Sequence, residues 1–313
     1  MTPSISVILA THDRPESLRR AVEAVLAQTL GPKELIVVND GAEDICPAIG
    51  QRARAAGVSF HYLRQDRPSL SASRNRGIAA ATGDVVLLLD DDVMLSSDHL
   101  ARLAKLYAAD PAGDVGGIGA VLVKSAYGKA NAWAWRMLSG AFAINRWGPR
   151  VVAARKVVLP TQLSGQLVPA RFLSGGGISL RRRVAEATGF EESFAGYAFG
   201  EDTEFCFRAG RKWALFLAPQ LRARHEVGPG GRPDGAAKGR MYVANMLHTL
   251  DHSVERGAGT ILLFAYNMLG MIVLYTATAV AALRFRKLAF VGGMIGELAR
   301  AAASVTRKSL CGS

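Results

Sequence analysis

Three short apolar runs, each closed by a polar turn, constrain this chain more than any other feature. SISVILA at 4–10 and ELIVVND at 34–40 are short and β-branched, as buried strands are. Between them Leu18, Ala21, Val22, Val25 and Leu26 recur at helical spacing, so 15–28 reads as an amphipathic helix with Pro15 suited to its first turn. A strand, a helix and a second strand require a crossover connection, which makes the strands parallel members of a doubly wound α/β layer. The pattern continues through a strand at 59–63, a helix at 71–81 and the run 85–89, which leads straight into Asp90, Asp91 and Asp92. Open parallel sheets place ligand sites at the carboxyl ends of their strands, and Asp40 and the three aspartates both fall at such ends.

Further on, a helix is expected at 97–108 and a strand at 117–124. The segment 125–170, with Trp133, Trp135 and Trp147 spread among Gly and Arg, reads as a partly helical insert. The run GPGGRPDGAA at 228–237 has the composition of a loop and is expected to form no regular element. From Gly257 to Leu283 there are 27 residues without a charge, followed by Arg284, Arg286 and Lys287. At about 1.5 Å per helical residue this run reaches about 40 Å, enough to cross a bilayer with tilt. Basic residues flank it on both sides, Arg256 as well as the Arg284 cluster, which conflicts with a single span because basic flanks belong on the cytosolic side. A re-entrant hairpin near Gly270, or a second crossing through 288–303, would resolve that conflict. The expected organisation is thus a doubly wound α/β domain at 1–227, a glycine-rich loop with a connecting helix at 228–256, and a hydrophobic membrane-associated region of helices at 257–313.

The formal charge of +12 allows nucleic acid, an anionic lipid surface or an anionic small substrate. The basic residues are scattered, with no interleaving of aromatics and no zinc-finger or RNA-module signature, so nucleic acid is not an expected partner. Three cysteines without metal-site spacing point to neither a disulfide framework nor a zinc site. The start of the chain enters a strand without a basic leader and apolar signal core, which places the catalytic part in the cytosol, at the cytoplasmic face of a membrane.

Three adjacent carboxylates repel one another unless a cation lies between them. Oxygen ligands of this kind suit Mg²⁺ or Mn²⁺, whose shells are usually completed by substrate phosphates and water. Side chains i and i+2 of a strand face the same side, so Asp90 and Asp92 are expected to point together while Asp91 points away.

The ordered set SVILATHDRPESL, ELIVVNDGAED, SASRNRGIAAATGDVVLLLDDDV, FLSGGGISLRR and FGEDTEFCFR resembles the family 2 glycosyltransferases of the GT-A fold over about residues 4–226. The resemblance implies an inverting transferase that moves a sugar from a nucleoside-diphosphate sugar to an acceptor hydroxyl. Asp40 then contacts the nucleobase, with Asn39 in place of the family's usual preceding Asp, while Thr11 and Arg14 shape the nucleotide pocket. Arg74 and Asn75 approach base and phosphates, Asp90 lies near the ribose, and Asp91 completes the donor-holding cluster. Asp92 ligates the metal, with Asp90 and His225 as further candidate ligands. Asp202 is the expected catalytic base and Glu201 its neighbour toward the acceptor, and the backbone of Ser174–Gly177 comes close to the donor or acceptor.

Other readings fit less well. A nucleotidyltransferase would carry a glycine-rich loop with a basic residue after the first strand, and a dinucleotide oxidoreductase a GxGxxG at the same turn, whereas ATHDRPE has neither. A silent membrane scaffold would not need the full set of acids. The absence of a Gln-x-x-Arg-Trp motif after the base favours transfer of a single sugar, to a lipid-linked or glycan acceptor, over polymer synthesis.

Overall fold

The computed structural model describes residues 2–42, 46–124, 141–142, 157, 159–194, 196–226, 234–253, 257–281 and 287–311. The chain divides into two compact units, one of residues 1–126 and 152–231, the other of 127–151 and 232–313.

The first unit is built on a sheet of nine strands: β1 (Ile5–Thr11), β2 (Glu34–Asn39), β3 (Ser59–Arg64), β4 (Val85–Asp90), β5 (Val93–Leu95), β6 (Val115–Lys124), β7 (Val168–Ala170), β8 (Gly177–Arg181) and β9 (Ala214–His225). The order is β3-β2-β1-β4-β8-β6-β9-β5, with β7 also on β9. Strands β1 to β4 are mutually parallel where they pair, and β6 and β9 run in the same direction because β8 is antiparallel to both β4 and β6. Helices α1 (Pro15–Leu26), α2 (Cys46–Ala55), α3 (Leu70–Ala80), α4 (His99–Ala108), α5 (Arg182–Thr188) and α6 (Glu201–Lys212) cover the sheet.

Both faces of the sheet are buried, so alternate residues of one strand enter different cores. Val7, Leu9, Leu35, Val37, Leu87 and Leu89 pack against Leu18, Val22 and Val25 of α1 and against Leu100 and Leu103 of α4. Ile8, Ile36, Val38, Val86 and Leu88 turn the other way, toward Ile78 of α3, Val184 of α5 and Phe205 of α6. The expected strands and helices up to 124 are present with ends shifted by one or two residues. Strands β5, β7 and β8 and the short α5 are too brief to impose a period on the sequence. Most of the expected insert at 125–170, including its three tryptophans, lies outside the described residues.

In the second unit, α7 (Gly235–His252) is capped by Asp234, whose carboxylate accepts from Ala237 N at 2.6 Å. The glycine-rich run therefore turns helical at 235, two residues before its expected end, because an aspartate cap satisfies one of the first free N–H groups. Helix α8 (Ala258–Ala281) is continuous through Gly270, which excludes the hairpin there; a side chain at Gly270 would meet the Phe142 ring. Tyr266 Oη and Asn267 Nδ2 donate to the carbonyls of Ala141 and Phe142 at 3.0 and 3.2 Å. Helix α9 (Leu288–Cys311) packs on α7 through glycines whose missing side chains let the backbones touch, Gly239 against Phe290 and Gly293 against Ala236. Among the described residues one helix is long and apolar enough to cross a membrane, Ala258–Val280; α9 carries the ion pair of Glu297 and Arg300.

Candidate active site

Parallel register brings the loop-proximal ends of three strands to one edge. Thr11 is paired with Asn39 and Ala10 with Asp90, so the residues following β1, β2 and β4 converge. The strand period stops at Asp90, however, and Asp91 and Asp92 form the turn into β5. The expected sharing of a face by Asp90 and Asp92 is therefore overturned. Asp90 faces Arg74, its Oδ1 3.0 Å from Nη2. Asp91 and Asp92, both buried, instead share Arg14, whose Nη1 lies 2.9 Å from Asp91 Oδ1 and 3.3 Å from Asp92 Oδ2. Thr11 Oγ1 donates to the other oxygen of Asp91 at 2.7 Å. Burial pushes the Asp91 carboxyl up to about 7, against the opposing pull of Arg14 and of the Thr11 hydrogen bond.

Asp40 is held by the start of α3 and by a neighbour that sequence reading passed over. Its Oδ2 accepts from Ser69 N at 2.8 Å and from Ser73 Oγ at 3.4 Å, while its Oδ1 is 2.9 Å from His12 Nδ1. His12 directly follows Thr11 on the loop after β1; its position on that loop was the only signal. Asn39 is buried, and its amide donates to Tyr62 Oη at 2.9 Å while its carbonyl accepts from Gly41 N at 2.9 Å. A carboxylate in place of Asn39 would lose the donor that meets Tyr62. Asn75 does not join the acids. Its amide donates to Phe190 O and Glu192 Oε1 at 2.9 and 2.7 Å and its carbonyl accepts from Phe190 N at 2.6 Å, so it fastens α3 to the 190–192 turn.

Arg74 connects Asp90 to Glu201, the neighbour of the expected base. Its guanidinium is 3% exposed, lies over the Phe190 ring, and reaches Glu201 Oε1 through Nη1 at 2.5 Å as well as Asp90 through Nη2. Glu201 and Asp202 open α6, where Gly200 at φ 101° makes the turn in left-handed backbone. Asp202 accepts from Gly175 N at 3.0 Å and from Thr203 N at 2.8 Å, and keeps part of its surface open to solvent. Burial among like charges raises both carboxyls, Glu201 to about 8. Residues 174–177 close over this array: a side chain at Gly175 would fall 2.8 and 2.9 Å from the Arg74 nitrogens and 3.0 Å from Glu201 Oε1, and one at Gly176 would fall 2.9 Å from Asp90 Oδ2.

His225 reaches the cluster from the end of β9, which pairs antiparallel with β5 so that His225 lies opposite Val93. Its Nε2 is 3.0 Å from Asp92 Oδ1, and its Nδ1 is buried with no partner among the described residues. No group of three or more His, Cys, Asp or Glu side chains among the described residues is arranged to hold a metal. The pair Asp92 and His225 nevertheless fits part of a shell. Neighbouring ligands on an octahedral ion with bonds of about 2.1 Å stand about 3.0 Å apart, and a mixed oxygen and imidazole set suits Mn²⁺. Asp90 is drawn toward Arg74 and is not part of that pair.

Residues 6–159 match the family model described as Glycosyl transferase family 2. The uncharacterised glycosyltransferase YwdF of Bacillus subtilis is 32% identical over 102 residues, 32% of this chain and 37% of that protein. The glucosyl-dolichyl phosphate glucuronosyltransferase of Haloferax volcanii is 33% identical over 109 residues, 34% of this chain and 35% of that protein. The chain thus spans about a third of the length of the curated relatives it matches. Among solved structures, the mannosyltransferase PcManGT of Pyrobaculum calidifontis, in complex with GDP-Man and Mn²⁺, superposes with a TM-score of 0.60 at 14% identity, covering 95% of this chain and 88% of that one. That likeness gives the sheet a GT-A fold.

Proposed function

We propose, for a chain that carries a family 2 glycosyltransferase domain across residues 6–159, that it moves one sugar with inversion from a nucleoside-diphosphate sugar to a hydroxyl of a lipid-linked or glycan acceptor. The observation that carries this reading is Asp202: a half-buried residue whose carboxylate is braced by two backbone N–H groups, next to Glu201, which Arg74 ties to the donor-side Asp90. In this reading Asp202 accepts the proton of the attacking hydroxyl, which enters from the face opposite the departing nucleoside diphosphate. Gly175 N and Thr203 N hold one oxygen each of the carboxylate and so fix its orientation. Glu201 holds Arg74, and Arg74 keeps Asp90 in place beside the donor.

Asp40, with His12 and the start of α3, forms the end of the pocket for the nucleobase, and Thr11 and Arg14 border the diphosphate. Asp92 and His225 would hold a divalent cation, Mn²⁺ or Mg²⁺, whose chemistry when bound is to offset the charge growing on the leaving diphosphate. The Mn²⁺ and GDP-Man bound to PcManGT support that choice. The lipid-linked acceptor draws support from the Haloferax relative, whose name specifies a dolichyl phosphate substrate. Helix α8 would bring the chain to a membrane, with the site at its cytoplasmic face.

The test begins with a screen of nucleotide sugars, each with Mn²⁺ or Mg²⁺, for thermal stabilisation of the detergent-purified chain. With the donor in hand, Asp202→Asn should lower transfer by about 10²–10⁴-fold, the usual range for loss of a general base, while leaving donor affinity unchanged. Transfer at wild-type rate by that variant would sink the assignment of the base.

A further inference from the structure

The reading of Asp92 as a metal ligand raises a question of access. Both oxygens of Asp92 are engaged, Oδ1 by His225 Nε2 at 3.0 Å and Oδ2 by Arg14 Nη1 at 3.3 Å, and the side chain is only 3% exposed. A cation approaching Asp92 must therefore displace a partner. Arg14 is the one that carries a permanent charge. It is anchored independently of Asp92, since the same nitrogen lies 2.9 Å from Asp91 Oδ1, and Asp91 is itself fixed by Thr11 at 2.7 Å. Arg14 also has capacity to spare: its Nε is buried and meets no hydrogen-bond partner among the described residues. Arg74, the guanidinium on the neighbouring Asp90, is committed to Asp90 and Glu201.

We propose that Arg14 is a built-in counter-cation that keeps a divalent ion off Asp92 until a nucleoside diphosphate is present. Without a nucleotide, the guanidinium balances Asp91 and Asp92, and a divalent ion entering alone meets a fixed positive charge at its own ligand. A diphosphate offers competing anionic oxygens. Arg14 then turns its N–H groups to the phosphates while staying anchored to Asp91, and Oδ2 of Asp92 is released. Metal and nucleotide consequently bind together rather than in either order. This goes beyond the assignment of Asp92 but rests on it.

The test is Mn²⁺ binding to the full-length chain in detergent, followed by the electron paramagnetic resonance signal of free Mn²⁺, alone and with UDP or GDP supplied separately. The wild type should bind Mn²⁺ weakly alone and at least tenfold more tightly with whichever diphosphate it accepts. Arg14→Gln should bind Mn²⁺ alone at least tenfold more tightly than the wild type and gain much less from the diphosphate, whereas Arg14→Lys, which keeps the charge, should stay near the wild type. Arg14→Met serves as the second neutral variant if the glutamine protein does not fold, as judged by its melting transition, and carries the same expectation. If the neutral variants bind Mn²⁺ alone no better than the wild type, while Asp92→Asn abolishes the diphosphate-dependent binding, the counter-cation role is wrong and the metal ligand stands. If Asp92→Asn binds Mn²⁺ as the wild type does, both fall.

Discussion

At the scale of single residues, Arg74 opposes the burial that raises the proposed base. Burial pushes the carboxyls of Glu201 and Asp202 up, helped by repulsion from Asp202 and Asp90 on Glu201 and from Asp90 on Asp202, while the Arg74 charge draws both down. A base acts ionised, so transfer should rise with pH as the pair deprotonates. Arg74→Gln removes the lowering charge and should move that rise to higher pH by about one to three units, a span typical of an opposite charge at contact distance. Glu201→Gln removes the acid that Asp202 repels and should move the rise to lower pH. Profiles of kcat/KM against pH check both, and shifts in the reverse directions would refute the scheme. Stability follows the same sign. Glu201 is raised in the folded chain from 4.5 to about 8, so its contribution is full below about 4.5 and is lost as pH climbs to about 8. Melting temperature should therefore decline across that window, and Glu201→Gln should flatten the decline. These roles were only partly legible beforehand. The acids of 90–92 and 201–202 stand out in the sequence, but the partner of each depends on where a turn breaks the strand period, as it does after Asp90.

At the scale of elements, glycines decide how closely backbone approaches backbone or a charged group. Gly175→Ala would place a methyl within 3.0 Å of Arg74 and Glu201, and Arg74 cannot retreat because the Phe190 ring lies against it. Transfer by that variant should fall at least about tenfold, the equivalent of about 1.4 kcal/mol in the barrier, with the melting transition still present. Helix α9 offers a paired comparison. A methyl at Gly293 would enter the backbone of Ala236, whereas Gly292 faces open space. Gly293→Ala should lower the melting temperature, and Gly292→Ala should raise it slightly, since alanine is favoured over glycine within a helix by about 0.5–1 kcal/mol. Equal melting temperatures for the two variants would contradict the close packing of α7 on α9. Strands β1, β2 and β4 were legible because each is a largely apolar run of six or seven residues between turns. Strand β5, three residues long, was not, and it is β5 that positions His225.

At the scale of the whole molecule, the +12 charge and the uncharged stretch from 257 to 283 both fit attachment to an anionic lipid surface. Leu262, Tyr266, Leu269, Val273 and Val280 of α8 are exposed, with Leu262 at 70% and Leu269 at 53%. Because these side chains contribute little to packing, the double substitution Leu262→Glu and Leu269→Glu should leave the fold intact while driving the chain from the membrane pellet to the supernatant; unchanged recovery in the pellet would count against α8 as the anchor. The sequence by itself determined the parallel α/β layer, the edge of the sheet on which the acids gather, and the apolar helix after Gly257, because periodicity and strand ends are local properties. The tertiary structure alone decided which charge meets which. Arg14 joins Asp91 to Asp92, Arg74 joins Asp90 to Glu201, and His225 meets Asp92 through the pairing of β9 with β5. Contacts between residues so far apart along the chain are set by strand order and register, which local sequence patterns do not encode.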